Sequence, residues 1–441
     1  MLDKRYPGPQ RICRQVLSNG VTILALESRA IPTVVIEGIV HAGAILDGRD
    51  MAGLASFTAD MLMRGTKQND FTQIFERLES VGAGLSFDGG RHVTQFSGVS
   101  LVDDVDLLID LLVQSLRMPA FPSEHVERLR GQIQTDFQMR ANDTRRIAGL
   151  NFMETLYRDH PYGRSIQGYP ETVDRIEVHD LVDFHAQNYG PRGMIVALVG
   201  SIKTSEAVAK VAAYLGDWEC HSQAVLSDVK SMTRPKELVM VAHEMPAKTQ
   251  SDLILGLPGP RRSEPDYLHA SLVNTVLGVF GMMGRIGRVV REELGLAYHA
   301  SSHLAGGPGP SPWTVEAGTR PECVAQVIES IRQEISRIQN ELVPHQELDD
   351  CKSFRVGSLP VGLETHAALA ATLLDMEFYD LGLDYLQRFP HLMRNISAEQ
   401  VRSAAQKYLS PDQFVVSVAG PVSGGDVCRG IQEYGEPLTT L

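Results

Sequence analysis

Two distant stretches of this chain carry the same pattern. Residues 186–200 read AQNYGPRGMIVALVG and residues 405–420 read AQKYLSPDQFVVSVAG. Each runs Ala-Gln-x-Tyr, then a short turn containing a proline, then an apolar run that closes on glycine. The paired tyrosines are Tyr189 and Tyr408 and the paired glycines Gly200 and Gly420, so the offset between copies is constant to within one turn residue. Each copy lies near the end of its half. A chain built this way is an internal duplication, and whatever fold the first half adopts the second should repeat. The domains expected are 1–217 and 237–441. Residues 218–236, polar and closing on Arg234-Pro235, form the linker.

Local patterns say what each half contains. Ser18-Asn19-Gly20 is a hairpin-type turn between β-rich runs. Strands are expected at 21–26 and 34–40. A helix should run from near Asp50 to Gly65, a plausible left-handed stop. Asp70-Phe-Thr-Gln has capping-box form. Behind it Phe71, Ile74, Leu78 and Val81 recur three to four apart, and Gly82 ends that helix. Helical patterns follow at 103–117, 123–140, 143–158 and 179–188, before a strand at 193–199. In the second half strands are expected at 237–242, 252–256, 297–304 and 313–318. Helices are expected there at 265–279, 285–293, 321–341, 364–380 and 397–408. Each half is thus an α+β layer, with helices covering a mostly antiparallel sheet.

Composition excludes some functions. The 441 residues are 43% hydrophobic and 22% charged, enough apolar material for a sizeable core. The formal net charge is −13, from 54 acidic against 41 basic residues, which argues against a nucleic-acid partner. The five cysteines, Cys13, Cys220, Cys323, Cys351 and Cys428, are odd in number, widely spaced and without a C-x-x-C. A disulfide framework or cysteine zinc site is not expected, and a reducing compartment fits. No apolar run has the length of a membrane span, and the first residues lack the apolar core of a signal peptide. The expectation is a cytoplasmic protein with no membrane partner.

Three segments carry the chemistry. Residues 53–66 read Gly-Leu-Ala-Ser-Phe-Thr-Ala-Asp-Met-Leu-Met-Arg-Gly-Thr. Residues 160–171 contain His160-Pro-Tyr-Gly-Arg164, then Gly168 and Glu171. Residues 281–298 contain Gly281, Arg285, Arg291-Glu-Glu-Leu-Gly-Leu-Ala-Tyr298. In this order they resemble the signature segments of the pitrilysin-type zinc metallopeptidases, the inverzincins, including their mitochondrial-processing-peptidase branch. The corresponding family forms are G-L-A-H-F-L-E-H-M-L-F-K-G-T, H-P-Y-G-R-x-x-x-G-x-x-E and G-x-x-S-R-L-x-x-x-L-R-E-x-L-G-L-A-Y. The resemblance covers essentially the whole chain. It implies an α+β fold of two homologous domains forming a LuxS/metallohydrolase-like clamshell.

The frame of the first segment is kept and its chemistry is not. In the family, two histidines four apart on one helix face bind zinc, and the glutamate before the second activates the bound water. Ser56 and Asp60 stand at the histidine positions and Ala59 at the glutamate. Asp136, in Gln132–Arg140, falls near the slot of the third ligand, a glutamate on a later helix. Two carboxylates are short of the three protein ligands of a catalytic zinc, and an alanine cannot take a proton. No metal is expected in this chain. Without the resemblance, 53–66 reads as a buried helix of small residues.

The third segment keeps its functional pair. In family members the arginine and tyrosine at the positions of Arg291 and Tyr298 project toward the active site, bind substrate backbone and support the oxyanion. A guanidinium and a phenol both donate to a carbonyl that becomes negative. The plain alternative is an arginine capping helix carbonyls and a tyrosine packed on the sheet. The expectation is that both face the cavity between the halves or one shared with a partner.

The asymmetry implies a subunit inactive alone. It would supply Arg291 and Tyr298 beside the zinc of a homologous partner, the pair hydrolysing peptides; in isolation it could form a homodimer. Two rivals stand beside this reading. One is a structural or binding pseudopeptidase, resembling the core subunits of respiratory complexes. The other is a hydrolase using Ser56, for which no His-Asp relay is visible. His299 and His303, four apart in an expected strand, lie about 13 Å apart along one face and cannot share an ion.

Overall fold

The computed structural model describes residues 2–223, 229–425, 427 and 439–440. Residues 224–228 of the expected linker and Cys428 lie outside the described residues. The four described cysteines are free. No single helix among the described residues is long and apolar enough to cross a membrane.

Two six-stranded sheets organise the chain. The first is built from β1 (Ile12–Val16), β2 (Thr22–Glu27), β3 (Thr33–Val40), β4 (Gly84–Gly89), β5 (Thr94–Leu101) and β6 (Ile195–Gly200), in the order β1-β2-β6-β3-β5-β4. The β1–β2 hairpin turns where Gly20, at φ 95°, closes on the Leu17 carbonyl at 3.0 Å. Only the β2–β6 pairing is parallel. The second sheet is built from β7 (Val239–Glu244), β8 (Ser251–Pro258), β9 (Ala297–Leu304), β10 (Pro312–Thr319), β11 (Val415–Gly420) and β12 (Thr439–Thr440), in the order β12-β7-β11-β8-β10-β9.

The duplication is visible in this topology. Leaving aside β1 and β12, the strands appear in the same sequence order, the same spatial order and the same senses. β6 lies parallel to β2 and antiparallel to β3, as β11 lies parallel to β7 and antiparallel to β8. Each follows the helix that ends near its repeat tyrosine, Val178–Asn188 and Ala398–Tyr408. The closing glycines are used alike. A β-carbon on Gly200 would run into Thr33 and Val34, and one on Gly420 into Ser251.

Packing divides the chain differently from the contiguous halves expected at 217 and 237. One compact unit comprises Met1–Phe137, Arg164–Ser227 and Leu359–Phe389; the other comprises Gln138–Gly163, Asp228–Ser358 and Pro390–Leu441. Each sheet is therefore covered by a helix from the opposite half of the sequence. In the first unit His366–Phe378 lies on β3 and β6, where Ala370, Leu373 and Leu374 meet Val35, Ile39 and Val199. His366, buried, bonds Thr33 Oγ1 at 3.2 Å and Ser28 Oγ at 3.0 Å, and Glu377 accepts two bonds from Arg14. The other face of this sheet, with Ile23, Ile36, Phe96 and Val196, packs on the helices Val105–Arg117 and Thr204–Leu215. In the second unit Thr144–Leu156 lies on β8 and β11. Thr144 Oγ1 donates to Asp252 at 2.5 Å, and Gly256 lies where a β-carbon would press on Phe152.

Candidate functional site

The signature segment folds as a shorter helix than its pattern predicts. Arg49–Met51 forms a separate tight turn, and the α-helix runs only over Leu54–Met61. The expected continuous helix from Asp50 to Gly65 is broken at Gly53, which takes φ 99°. That conformation lets the backbone turn against Gln167, whose carbonyl oxygen lies 2.7 Å from where a β-carbon on Gly53 would sit. Asp47, buried, caps the new start. Its carboxylate accepts from the backbone N–H of Gly53 at 2.9 Å and of Ala55 at 3.0 Å. Burial pushes the Asp47 carboxyl up to about 7, opposed by those two donors and by Arg164.

The second motif is the buttress of this helix. Arg164 donates through Nη1 to the Asp47 carbonyl, and Thr172 donates through Oγ1 to the Ala52 carbonyl at 2.7 Å. Gly168, at φ 77°, presents its bare Cα to that same Ala52 carbonyl. Read as sequence, Arg164 and Gly168 belong to a turn motif. In three dimensions they hold the signature helix in place. Asp47 was not singled out by sequence, because its six-residue separation from Gly53 fits no capping pattern.

The degenerate positions take two directions. Ala59 is fully buried beside Gly89 at the end of β4, where any β-carbon would strike Ser56 Cα at 2.6 Å. Ser56 and Asp60 line a cavity of about 200 Å³ together with Gly53, Phe57 and Gln167. Its opposite wall is Gln132, Ile133 and Asp136 of the helix Ser123–Ala141. Asp60 and Asp136 therefore line one cavity. Asp60 opens to solvent at the mouth of this concavity. The surrounding protein raises its carboxyl to about 6, Asp88 adds repulsion, and Arg64 partly offsets both. This donor set does not fit a catalytic zinc. It offers a hydroxyl and two carboxylates without an imidazole, with an alanine where the family's glutamate stands, and no group of three His, Cys, Asp or Glu side chains placed to hold a metal occurs among the described residues.

Arg291 and Tyr298 are side by side in the second unit. Arg291 lies on Arg288–Glu293, where the helix widens: the Leu294 N–H donates to the Val289 carbonyl, five residues back, at 3.0 Å. The widened turn brings the Arg291 guanidinium to 5.1 Å from the Tyr298 ring centre at the start of β9. Tyr298 is 81% exposed, so its ring does not pack on the sheet. The preceding loop is sharply bent, with positive φ at Gly281, Met283 and Gly284. The bend ends at Gly284, and the helix expected over 285–293 follows it, continuing from Arg285–Gly287 into the widened Arg288–Glu293. His299 and His303 lie on β9, the strand expected over 297–304.

Comparison with known proteins identifies the family and the fold. The insulinase-type Peptidase M16 family profile matches residues 23–169, and the Peptidase M16 inactive-domain profile matches residues 175–354. The chain belongs to the M16 peptidase family. An uncharacterized zinc protease of Mycobacterium leprae is 25% identical over 423 residues, covering 95% of this chain and 94% of that one. A probable mitochondrial-processing peptidase subunit beta of Arabidopsis thaliana is 21% identical, covering 92% and 78%. Among solved structures, a peptidase M16 inactive domain from Pseudomonas fluorescens superposes with a TM-score of 0.86 at 28% identity, covering 93% of this chain and 98% of that one. A protease from Helicobacter pylori shares the fold at a TM-score of 0.87 and 15% identity. The M16 assignment agrees with the motif resemblance and with the α+β, two-domain fold.

Proposed function

We propose that this M16 chain is the non-catalytic subunit of a two-chain zinc metallopeptidase. It would supply Arg291 and Tyr298 beside the zinc of a homologous subunit with an intact H-x-x-E-H. The observation that carries the reading is the contrast within one chain. Ser56, Ala59 and Asp60 stand where the family has its zinc ligands and base, within a frame that keeps Gly53, Leu54, Ala55, Phe57, Met61 and Leu62, while Arg291 and Tyr298 stand together with the tyrosine exposed. A phenol and a guanidinium at that spacing can donate to one carbonyl oxygen, which is the contribution a partner's zinc site lacks. Pairing of homologous subunits is supported by the relative named as a peptidase subunit beta. The substrate is a peptide, the zinc belongs to the partner, and the location is cytoplasmic.

The test combines the purified chain with a homologous chain bearing the intact motif. Alone, this chain should hold no stoichiometric zinc after dialysis and cleave no peptide. The mixture should cleave a peptide library faster than the partner alone, and the gain should vanish when Tyr298 is replaced by phenylalanine. About one tightly held zinc per isolated chain would overturn the reading. Assembly without any gain in cleavage would leave a binding or structural pseudopeptidase in its place.

A further inference from the structure

A second cavity in the first unit lies apart from both motif sites. Its volume is about 310 Å³, at the lower end of the range for small-molecule pockets. Leu26, Leu363 and Leu369 with Pro7 and Pro360 make most of its wall, and Arg5 and Arg11 stand at it. The N-terminal segment that forms one side is anchored. Gln387, buried, accepts from the Asp3 N–H at 2.9 Å and donates to the Tyr6 carbonyl at 3.1 Å. Gly8 fits against the Gln387 side chain with no room for a β-carbon, and the chain then turns, with the N–H groups of Arg11 and Ile12 both donating to the Gly8 carbonyl. The cavity is therefore preformed.

Its charges are unequal. Arg5 is tied by its guanidinium to both oxygens of Asp3. Arg11 is exposed and has no ion-pair partner among the described residues. A protein with a net charge of −13 thus presents an uncompensated cation at the edge of an apolar hollow. A guanidinium pairs best with a planar carboxylate. The wall below it, lined by leucine and proline, gains from burying a hydrocarbon.

We propose that this cavity binds a carboxylate carried on an apolar group, with Arg11 holding the carboxylate and Leu26, Leu363 and Leu369 the apolar part. Two sources have this chemistry: a free medium-chain fatty acid and the apolar C-terminal residue of a short peptide. The site does not depend on the subunit reading above.

Isothermal titration calorimetry of the full chain tests it with decanoate and N-acetyl-leucine as probes, and with methyl decanoate and N-acetyl-leucinamide as their uncharged counterparts. At least one acid should bind, and its uncharged counterpart should bind about tenfold more weakly or worse. Tighter binding of decanoate assigns the fatty acid, and tighter binding of N-acetyl-leucine the peptide end. Arg11→Ala should weaken the acid about tenfold, whereas Arg5→Ala, already neutralised by Asp3, should change it by less than about threefold. Leu363→Asp should abolish binding by placing a like charge in the wall. No binding by either acid overturns the proposal. So does equal binding of acid and uncharged counterpart, or Arg11→Ala binding as the wild type does.

Discussion

The two sheets share their central strand order, yet the two units treat their motif residues in opposite ways. In the first, the signature helix is pressed into its surroundings. Gly53 meets Gln167, Gly168 meets Ala52, and Gly89 meets Ser56, each at a distance that excludes a side chain. In the second, Arg291 and Tyr298 sit on a widened turn and a strand start, with the ring in solvent. The difference separates two reasons for keeping a motif. The first frame is held by packing, which does not depend on what stands at positions 56, 59 and 60. The second is not explained by packing, because a largely exposed tyrosine contributes little to a core.

Four experiments would break or sharpen that contrast. The largest effect is expected at the exposed pair. Tyr298→Phe or Arg291→Ala should lower cleavage by the assembled two-chain enzyme by about 10²–10³-fold, with unfolding of the isolated chain unchanged. Wild-type cleavage by both variants would make the pair structural. Next comes Gly168→Ala, which combines a left-handed backbone with a collision at the Ala52 carbonyl. It should cost ~3 kcal/mol, read as a lower urea midpoint. An unchanged midpoint would mean that the frame is not held by packing.

The helix caps give a smaller contrast. Asp47→Ala strips two buried N–H groups of their acceptor and should cost ~2 kcal/mol. Asp143, the exposed cap of Thr144–Leu156, accepts with its carboxylate from the Arg146 N–H at 3.0 Å. Asp143→Ala should therefore cost about 1 kcal/mol or less. Equal losses would show that burial adds nothing to the cap.

The smallest effect is electrostatic. Asp60 has a folded pKa raised to about 6 from 3.8, so the folded chain binds this proton more readily than the unfolded chain. Its contribution to stability is most favourable below about pH 4 and declines as pH rises through 6. Asp60→Asn should accordingly raise the melting temperature at pH 8, and the gain should fade toward pH 4. A difference that does not vary with pH would show that the carboxyl titrates normally.

Much of the local structure was legible in advance. The Asp70–Gln73 capping box forms with both reciprocal bonds, at 2.9 Å each. The strands at 297–304 and 313–318 appear as Ala297–Leu304 and Pro312–Thr319. The helices His345–Gly362 and Tyr385–Arg394 were not anticipated; each contains a proline, Pro360 and Pro390, which reads locally as a breaker. The strands β4 and β5 were also missed. Their five glycines and serines between Gly84 and Gly98, among them Gly89 and Ser97, dilute the β-propensity signal.

At the motif sites, residue identity alone removed the two imidazoles and the glutamate of the family signature from positions 56, 59 and 60, and an alanine at 59 has neither donor nor base in any fold. Identity also marked Arg291 and Tyr298, and the repeat at Tyr189 and Tyr408 announced two like sheets. Only the tertiary structure decided that Ala59 faces Gly89 while Ser56 and Asp60 face a cavity. It also decided that Arg164 and Gly168 buttress the signature helix, and that each sheet is covered by a helix from the other half of the chain. The physical reason is common to these cases. Periodicity and capping are set by neighbours within a few residues, whereas the surface an apolar face covers depends on contacts between residues far apart in the chain.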